Sequence, residues 1–334
     1  MAAAISARSK KLKIAIAGAG LTGAYLYRLL RNRGHEIDVF DTKPGTRCGI
    51  SPCAWGTSRG FSELVKASGL DPRKYFLRHS DYVLMDDLRI PADLATFNKP
   101  ELIKDLLQGA KIEYSPIDVT NYERIIDATG VSRAFLPAIR EDILLPCVQW
   151  RIPTDALLEN RIRLGGIGYA WCFPLANHEF HIGCGSLISD PRKIMEELGW
   201  VGKNDSRAIL CACTGKIRLT APQYSQPFVI DGKDRAIWGV GEAIGCVAPL
   251  AGDGVIPGMK SVQILLQWWD DPKGYTAAIL REFSWMKPER RVIDKLGGTG
   301  PLGMKDAWVL KKNSKRMGMK VGLKEAGMLL RNLR

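Results

Sequence analysis

No apolar run in this 334-residue chain approaches the roughly 18–20 residues needed to span a bilayer. Its opening stretch, Met1 to Lys11, lacks the apolar core of a signal peptide and leads into a first strand. Both features lead us to expect a cytoplasmic protein, at most peripheral on the inner face of a membrane. Histidine is scarce, with four unclustered copies, which argues against zinc. The eight cysteines, at 48, 53, 147, 172, 184, 211, 213 and 246, sit mostly in apolar contexts and do not resemble a secreted disulfide framework. Cys211-Ala-Cys213 has the wrong spacing for a redox pair, so structural thiols are expected for most of them. No RNA- or DNA-reading motif is present, and the net charge of +13 alone gives only non-specific attraction, so no nucleic-acid partner is expected. What remains is a globular chain, 46% hydrophobic, long enough for one large or two ordinary domains.

The most informative stretch is residues 14–41. Ile14 to Ala17 reads as a short apolar strand, followed at once by Gly18-Ala19-Gly20-Leu21-Thr22-Gly23. A helix through Tyr25, Leu26, Leu29 and Leu30 stops at Gly34, and a second strand, Ile37 to Phe40, ends on Asp41. Gly18 permits a tight turn, Gly20 lets the backbone approach a pyrophosphate, and Gly23 lets helix and strand pack closely. The helix N-terminus offers N–H groups and a positive dipole end to phosphates. Asp41, 23 residues after the first glycine, is placed to accept from a ribose. Strand, turn, helix, second strand and acid in register predict a dinucleotide-binding unit.

Three further segments point to FAD as the dinucleotide. Arg47 and Gly49 follow the second strand, an extension found in glutathione-reductase-type enzymes. Tyr122 to Asp127 reads as a returning strand whose Ala128-Thr129-Gly130 turn would pack beside the cofactor. Ala236 to Gly239 reads as a strand leading to Glu242, then a turn from Pro249 to Val255, then a helix from about Met259 to Trp269. Glu242 suits a ribityl hydroxyl, and the N–H groups near Gly254 and Val255 suit the pyrimidine end of a flavin.

Tyr169-Ala-Trp171-Cys-Phe173-Pro174 fits the YxWxFP signature of the geranylgeranyl reductase family, and Gly183-Cys-Gly185 follows on the next strand. Pro52-Cys53-Ala54-Trp-Gly56 stands where that family has a Pro-Cys-Gly segment beside the flavin. From Lys11 to about Leu266 the chain therefore resembles the geranylgeranyl reductases, including the archaeal digeranylgeranylglycerophospholipid reductases, on the p-hydroxybenzoate-hydroxylase-like fold. It departs from them in having Glu242 for an Asp, Ala54 for a Gly and Lys99 for an Arg, and in being shorter.

The resemblance implies an α/β fold with an α+β substrate part. A Rossmann-like FAD-binding domain of glutathione-reductase type would comprise 11–60, 110–140 and 235–285. An inserted antiparallel-sheet substrate part would comprise 61–109 and 141–234, and 286–334 would form a basic helical C-terminal segment. It implies FAD contacts from Gly18, Ala19, Gly20, Gly23, Asp41, Arg47, Cys53, Ala54, Gly56, Lys99, Gly130, Glu242, Gly254 and Val255. The implied activity is reduction of prenyl double bonds in an isoprenoid lipid, with Cys53, Tyr169 and Trp171 as catalytic candidates. Electrons would come from NAD(P)H or a ferredoxin-like protein. Gly165-Gly-Ile-Gly168 lacks a strand–turn–helix around it and reads as a bend.

Several alternatives stay open on sequence alone. Tyr169, Trp171 and Phe173 share a strand face by their period of two, as tunnel lining or as core. Cys53 is a proton donor, a redox thiol or a packed residue. From Met286 onward there are 13 Lys/Arg against four Asp/Glu. Within that stretch Met319, Leu323, Ala326, Leu330 and Leu333 form one helical stripe, which suits a membrane surface or the body of the protein. An aromatic-ring monooxygenase and a flavin-containing lipid-binding protein without turnover are the competing functions.

Overall fold

The computed structural model describes residues 11–42, 53–153, 159–199, 209–233 and 235–333. The N-terminal third contains strand β1 (Lys13–Ala17), helix α1 (Leu21–Leu30), β2 (Glu36–Phe40), β3 (Gly56–Ser58) and α2 (Phe61–Ala67). It continues with β4 (Phe76–Met85), β5 (Leu88–Phe97), α3 (Lys99–Leu106), β6 (Ile112–Glu113) and β7 (Arg124–Asp127). The central part holds β8 (Leu144–Pro153), β9 (Arg161–Leu164), β10 (Gly168–Pro174), β11 (Glu179–Ser186), α4 (Pro191–Glu197) and β12 (Cys211–Arg218). Then come β13 (Val229–Asp231), β14 (Ala236–Gly239), α5 (Val255–Gln267), α6 (Pro272–Glu282), α7 (Met286–Asp294), α8 (Met304–Ser314) and α9 (Leu323–Asn332).

The strands form two sheets. The first runs β13-β14-β7-β1-β2-β6, parallel except for β13 at one edge. Its central strand β1 is covered on both faces, as a parallel strand flanked by helices should be. The second runs β12-β8-β11-β10-β9-β4-β5-β3 and is antiparallel apart from the short β4–β9 pairing. This is the expected α/β arrangement, a Rossmann-like sheet joined to an antiparallel one.

The expected boundaries run through shared ground. Residues 56–58, assigned to the cofactor domain, are β3 at the edge of the second sheet. Helices α2 and α3, within 61–109, contribute Phe61, Leu64, Leu102 and Leu106 to the same core as α1 and α5. Gly165 and Gly166 turn with positive φ ahead of β10, the anticipated bend.

The C-terminal stripe is not free. Ala326, Leu330 and Leu333 are buried with Leu329 in a core shared with β4, β10 and α7, while Leu323 and Met319 stay at least partly exposed. The membrane-facing version of this stripe is therefore corrected. Its hydrophobic period is satisfied by the protein's own second sheet.

Candidate cofactor and active site

The first glycine turn has the shape a pyrophosphate needs. Gly18 has φ +106°, and a Cβ there would stand 2.4 Å from the Ala128 carbonyl oxygen. A Cβ on Gly23 would stand 1.9 Å from the Gly18 carbonyl, so both glycines hold α1 against β1 and the returning turn. Gly20 differs: a Cβ would meet nothing within 4 Å. It caps the N-terminus of α1, whose first turn carries no acid, leaving open space before a helix dipole. The Asp41 carboxylate accepts from the Ala19 N–H at 3.0 Å and from the Thr42 N–H at 2.7 Å, which fixes it at the end of β2 beside that turn. Arg47 lies outside the described residues, as do Gly49 and Pro52.

The Asp127-Ala-Thr-Gly130 turn is built by its own acid. Buried Asp127 accepts from the N–H groups of Thr129, Phe135 and Leu136 and from the Thr129 hydroxyl. Gly130, at φ +63°, passes close to the Glu242 carboxylate; a Cβ there would be 3.4 Å from Oε2. Burial raises the Glu242 pKa, opposed by Arg218 and by the charge of Lys99 at the start of α3. Sequence reasoning missed Arg218 and Asp142, a buried guanidinium and a partly buried carboxylate joined in an ion pair at 3.0 Å. They lie 76 residues apart and each carries a charge type abundant throughout the chain, so no local pattern marks them.

At the third segment α5 begins at Val255, about four residues earlier than expected. The Asp253 carboxylate, one residue ahead of the N-cap, accepts the Val255 N–H at 2.9 Å and so ties down the first residue of the helix. The Val255 N–H is therefore already engaged, whereas Gly254 stands at the helix N-cap. Burial raises the Asp253 carboxyl to about 6.

Tyr169 reaches across to this same turn. Its hydroxyl donates to the Ala251 carbonyl at 2.6 Å, and a Cβ on Gly252 would press on that hydroxyl at 2.4 Å. Trp171 is its neighbour, ring centroids 5.8 Å apart, and packs against Gly183, where a Cβ would be 2.3 Å from the indole. Tyr169, Trp171 and Phe173 do share one face, the one turned to the C-terminal helices, while Ala170 and Cys172 face α4. Tyr169 lines a void of about 10 Å³, room for no more than a water molecule, with Leu145, Ile167, Leu219, Leu250, Ile293 and Leu296. Trp171 is a buried neighbour of that cavity's wall.

Cys53 is half-buried on the same side. Its carbonyl accepts from the Gln149 side chain at 3.1 Å, and the next residue, Ala54, is hydrogen-bonded through its main chain to His181. Gly56 passes so close to Phe173 that a Cβ would stand 3.3 Å from the ring. Burial lowers the His181 imidazole to about 4, so it is neutral at neutral pH. Gln149 Oε1, His181 Nδ1 and Trp171 Nε1 are buried polar atoms with no hydrogen-bond partner among the described residues. Gln149 and His181 carried no motif, and only strand register aligns them with Cys53. Five other cysteines, at 147, 172, 184, 213 and 246, are buried packing residues.

No family model matches the sequence. An uncharacterised protein of Methanocaldococcus jannaschii is 24% identical over 304 residues, covering 76% of this chain and 82% of that one. Among solved structures, a geranylgeranyl bacteriochlorophyll reductase-like protein from Thermoplasma acidophilum superposes with a TM-score of 0.68 at 15% identity. It covers 97% of this chain and 95% of its own. A tryptophan 6-halogenase from Streptomyces toxytricini gives 0.63 at 13% identity, covering 96% and 90%. A probable FAD-dependent monooxygenase from Pseudomonas aeruginosa gives 0.57 at 15% identity, covering 90% and 100%. These likenesses establish the fold, the one shared by FAD-dependent oxidoreductases of the reductase, monooxygenase and halogenase kinds.

Proposed function

We propose that this chain is an FAD-dependent oxidoreductase that saturates prenyl double bonds in an isoprenoid lipid or its precursor. The observation that carries this reading is the contact between Tyr169 of the YxWxFP segment and the Ala251-Gly252 turn, within an aliphatic surround of Leu145, Leu219 and Leu250. A hydrocarbon chain presents no polar group, and walls of Leu and Ile exclude water without demanding one. The likeness to the Thermoplasma reductase-like protein over nearly the whole chain adds support.

The residues present fit FAD. The open space before Gly20 would take the pyrophosphate, Asp41 the ribose, Glu242 the ribityl chain, and the turn at Gly254 the ring's pyrimidine edge. When bound and reduced, FAD supplies a hydride equivalent, chemistry that no amino-acid side chain has. Saturating a double bond also takes a proton at the second carbon. Tyr169 keeps its proton at neutral pH, because burial, with Cys147 and Asp253 nearby, raises the phenol far above its ordinary value. It holds that proton at the cavity wall, and Cys53 is the second candidate donor. Gln149 and His181 hold the Cys53–Ala54 main chain in position. We assign the supply of electrons to NAD(P)H or a small ferredoxin-like protein.

The test uses purified holoprotein reduced under anaerobic conditions. Addition of a geranylgeranyl lipid should reoxidise the flavin and give a product heavier by pairs of hydrogens. Oxygen-dependent consumption of NAD(P)H with a hydroxylated product would overturn the reading in favour of an aromatic-ring monooxygenase. Tight lipid binding without reoxidation would leave a carrier.

A further inference from the structure

Seven Lys/Arg and one carboxylate occupy residues 304–324, and that carboxylate, Asp306, is turned inward. Its oxygens take Lys295 at 2.9 Å and the Gly303 N–H at 2.7 Å. Asn313 and Ser314 are buried on the same side of α8, Asn313 donating to Glu289 at 2.9 Å. The other side carries two large apolar residues in the open, Met304 at 72% exposure and Trp308 at 54%. With about 100° per residue, Met304, Lys305, Trp308, Lys311, Lys312 and Lys315 fall within an arc of roughly 120°. The Lys312 ammonium stands 4.9 Å from the Trp308 ring centroid, capping the indole rather than covering it. Arg316 and Lys320 follow, also exposed. An exposed carboxylate, Asp93 on β5, adjoins the end of this segment, its N–H donating to the Gly318 carbonyl at 2.8 Å.

We propose that this face of α8 docks on an anionic lipid surface. Trp and Met at the centre of a ring of lysines match the two components of an interfacial helix, an apolar strip that enters the headgroup boundary and cations that meet anionic phosphates. Lysine stems lie along the apolar strip while their charges reach outward. A soluble acidic partner would be served by the cations alone and leaves Met304 and Trp308 unexplained. The face is also coupled to the cavity. Ile293 and Leu296 line it, and Lys295 between them pins the first turn of α8 through Asp306. No helix among the described residues is long and apolar enough to cross a membrane, so contact with lipid here is lateral. The proposal takes its use from the prenyl-lipid reading and none of its evidence.

The test is sedimentation of the full-length holoprotein with vesicles of phosphatidylcholine, with and without phosphatidylglycerol. The wild-type chain should sediment with the anionic vesicles at 0.1 M salt and be released at 1 M, as the Debye length falls from about 10 Å to about 3 Å. The K305Q/K312Q/K315Q variant should lose on the order of a hundredfold in partitioning. M304S/W308S should also lose most of its binding while keeping the wild-type melting temperature, since both side chains are exposed. Equal binding of M304S/W308S would overturn the lipid assignment in favour of a plain polyanion surface. Failure of the wild type to sediment with anionic vesicles would overturn it outright. Turnover enters neither measurement, so failure here leaves the reductase reading to its own test.

Discussion

The Glu242 carboxylate accepts the Arg218 N–H at 2.7 Å, while the Arg218 guanidinium donates back to the Glu242 carbonyl oxygen at 2.8 Å. The same guanidinium forks onto Asp142 and reaches the carbonyls of Gly130 and Val131. One cation thus ties the end of β12 to the Ala-Thr-Gly turn and to the segment after β14. These are the two turns proposed to face the cofactor, and they are held by a residue of the second sheet.

Removing that cation should be costly. Arg218→Ala leaves the Asp142 carboxylate without its ion pair and the Gly130, Val131 and Glu242 carbonyls without their donor, while the backbone N–H to the Glu242 carboxylate remains. Loss of one member of a buried pair typically costs about 3–5 kcal/mol, and less where one partner is partly exposed, as Asp142 is. Arg218→Lys keeps the charge but not the planar fork and should recover only part of this. Urea unfolding midpoints check both; an unchanged midpoint for Arg218→Ala would show that the tie carries no weight.

The glycines of the first turn should separate folding from cofactor binding. Gly23→Ala puts a Cβ 1.9 Å from a carbonyl oxygen and should lower stability even without cofactor. Gly20→Val meets no protein atom within 4 Å of the new Cβ, so its apoprotein should melt as the wild type does. It should nevertheless purify nearly free of FAD, because its side chain fills the pyrophosphate's place. Flavin absorbance per chain, read beside the apoprotein melting curve, decides the point.

The C-terminal helix should behave as core. Leu330 is 2% exposed, and Leu330→Ala should cost about 2–5 kcal/mol, as buried leucines do. A chain ending near Asp306 loses Ala326, Leu329, Leu330 and Leu333 together and should fail to reach the native fold. A truncated chain with native circular dichroism and cooperative unfolding would contradict this.

Glu289 should make stability fall with pH. It is 3% exposed, and burial raises its carboxyl from 4.5 to about 7 against the Leu250 N–H, Asn313 and Arg316. Folding therefore favours the protonated form. Its contribution is full below pH 4.5 and is lost as pH rises through 7, a change of up to roughly 3 kcal/mol. Glu289→Gln should remove this part of the pH dependence. Parallel pH–stability curves for the two proteins would assign the titration elsewhere.

The cofactor turn was legible because it is local. Gly18, Gly20, Gly23 and Asp41 lie on one continuous strand–turn–helix–strand, and each geometric demand falls on a neighbour in sequence. The aromatic strand was half legible. A period of two aligned Tyr169, Trp171 and Phe173 on one face but could not separate Tyr169, which lines the void, from Trp171, which packs against Gly183. Gln149, His181 and Arg218 were invisible because their partners sit in loops and turns far away in the sequence, Cys53 and Ala54 ahead of β3, Gly130 and Asp142 between β7 and β8, and Glu242 after β14.

The sequence by itself therefore determined the nucleotide-binding unit, the α/β class and the presence of a basic amphipathic tail. Spacing and backbone permissiveness are properties of a short segment and need no partner to be read. Only the tertiary structure decided what the tail's apolar face touches. A period near 3.6 reports that a helix has an apolar side, but whether water, lipid or protein meets it depends on what surface the rest of the chain offers. Here the second sheet and α7 offered one, so Ala326, Leu330 and Leu333 turned inward. On α8, Met304 and Trp308 were left outside among the lysines, because Asp306 and Asn313 are tied into the body through Lys295 and Glu289.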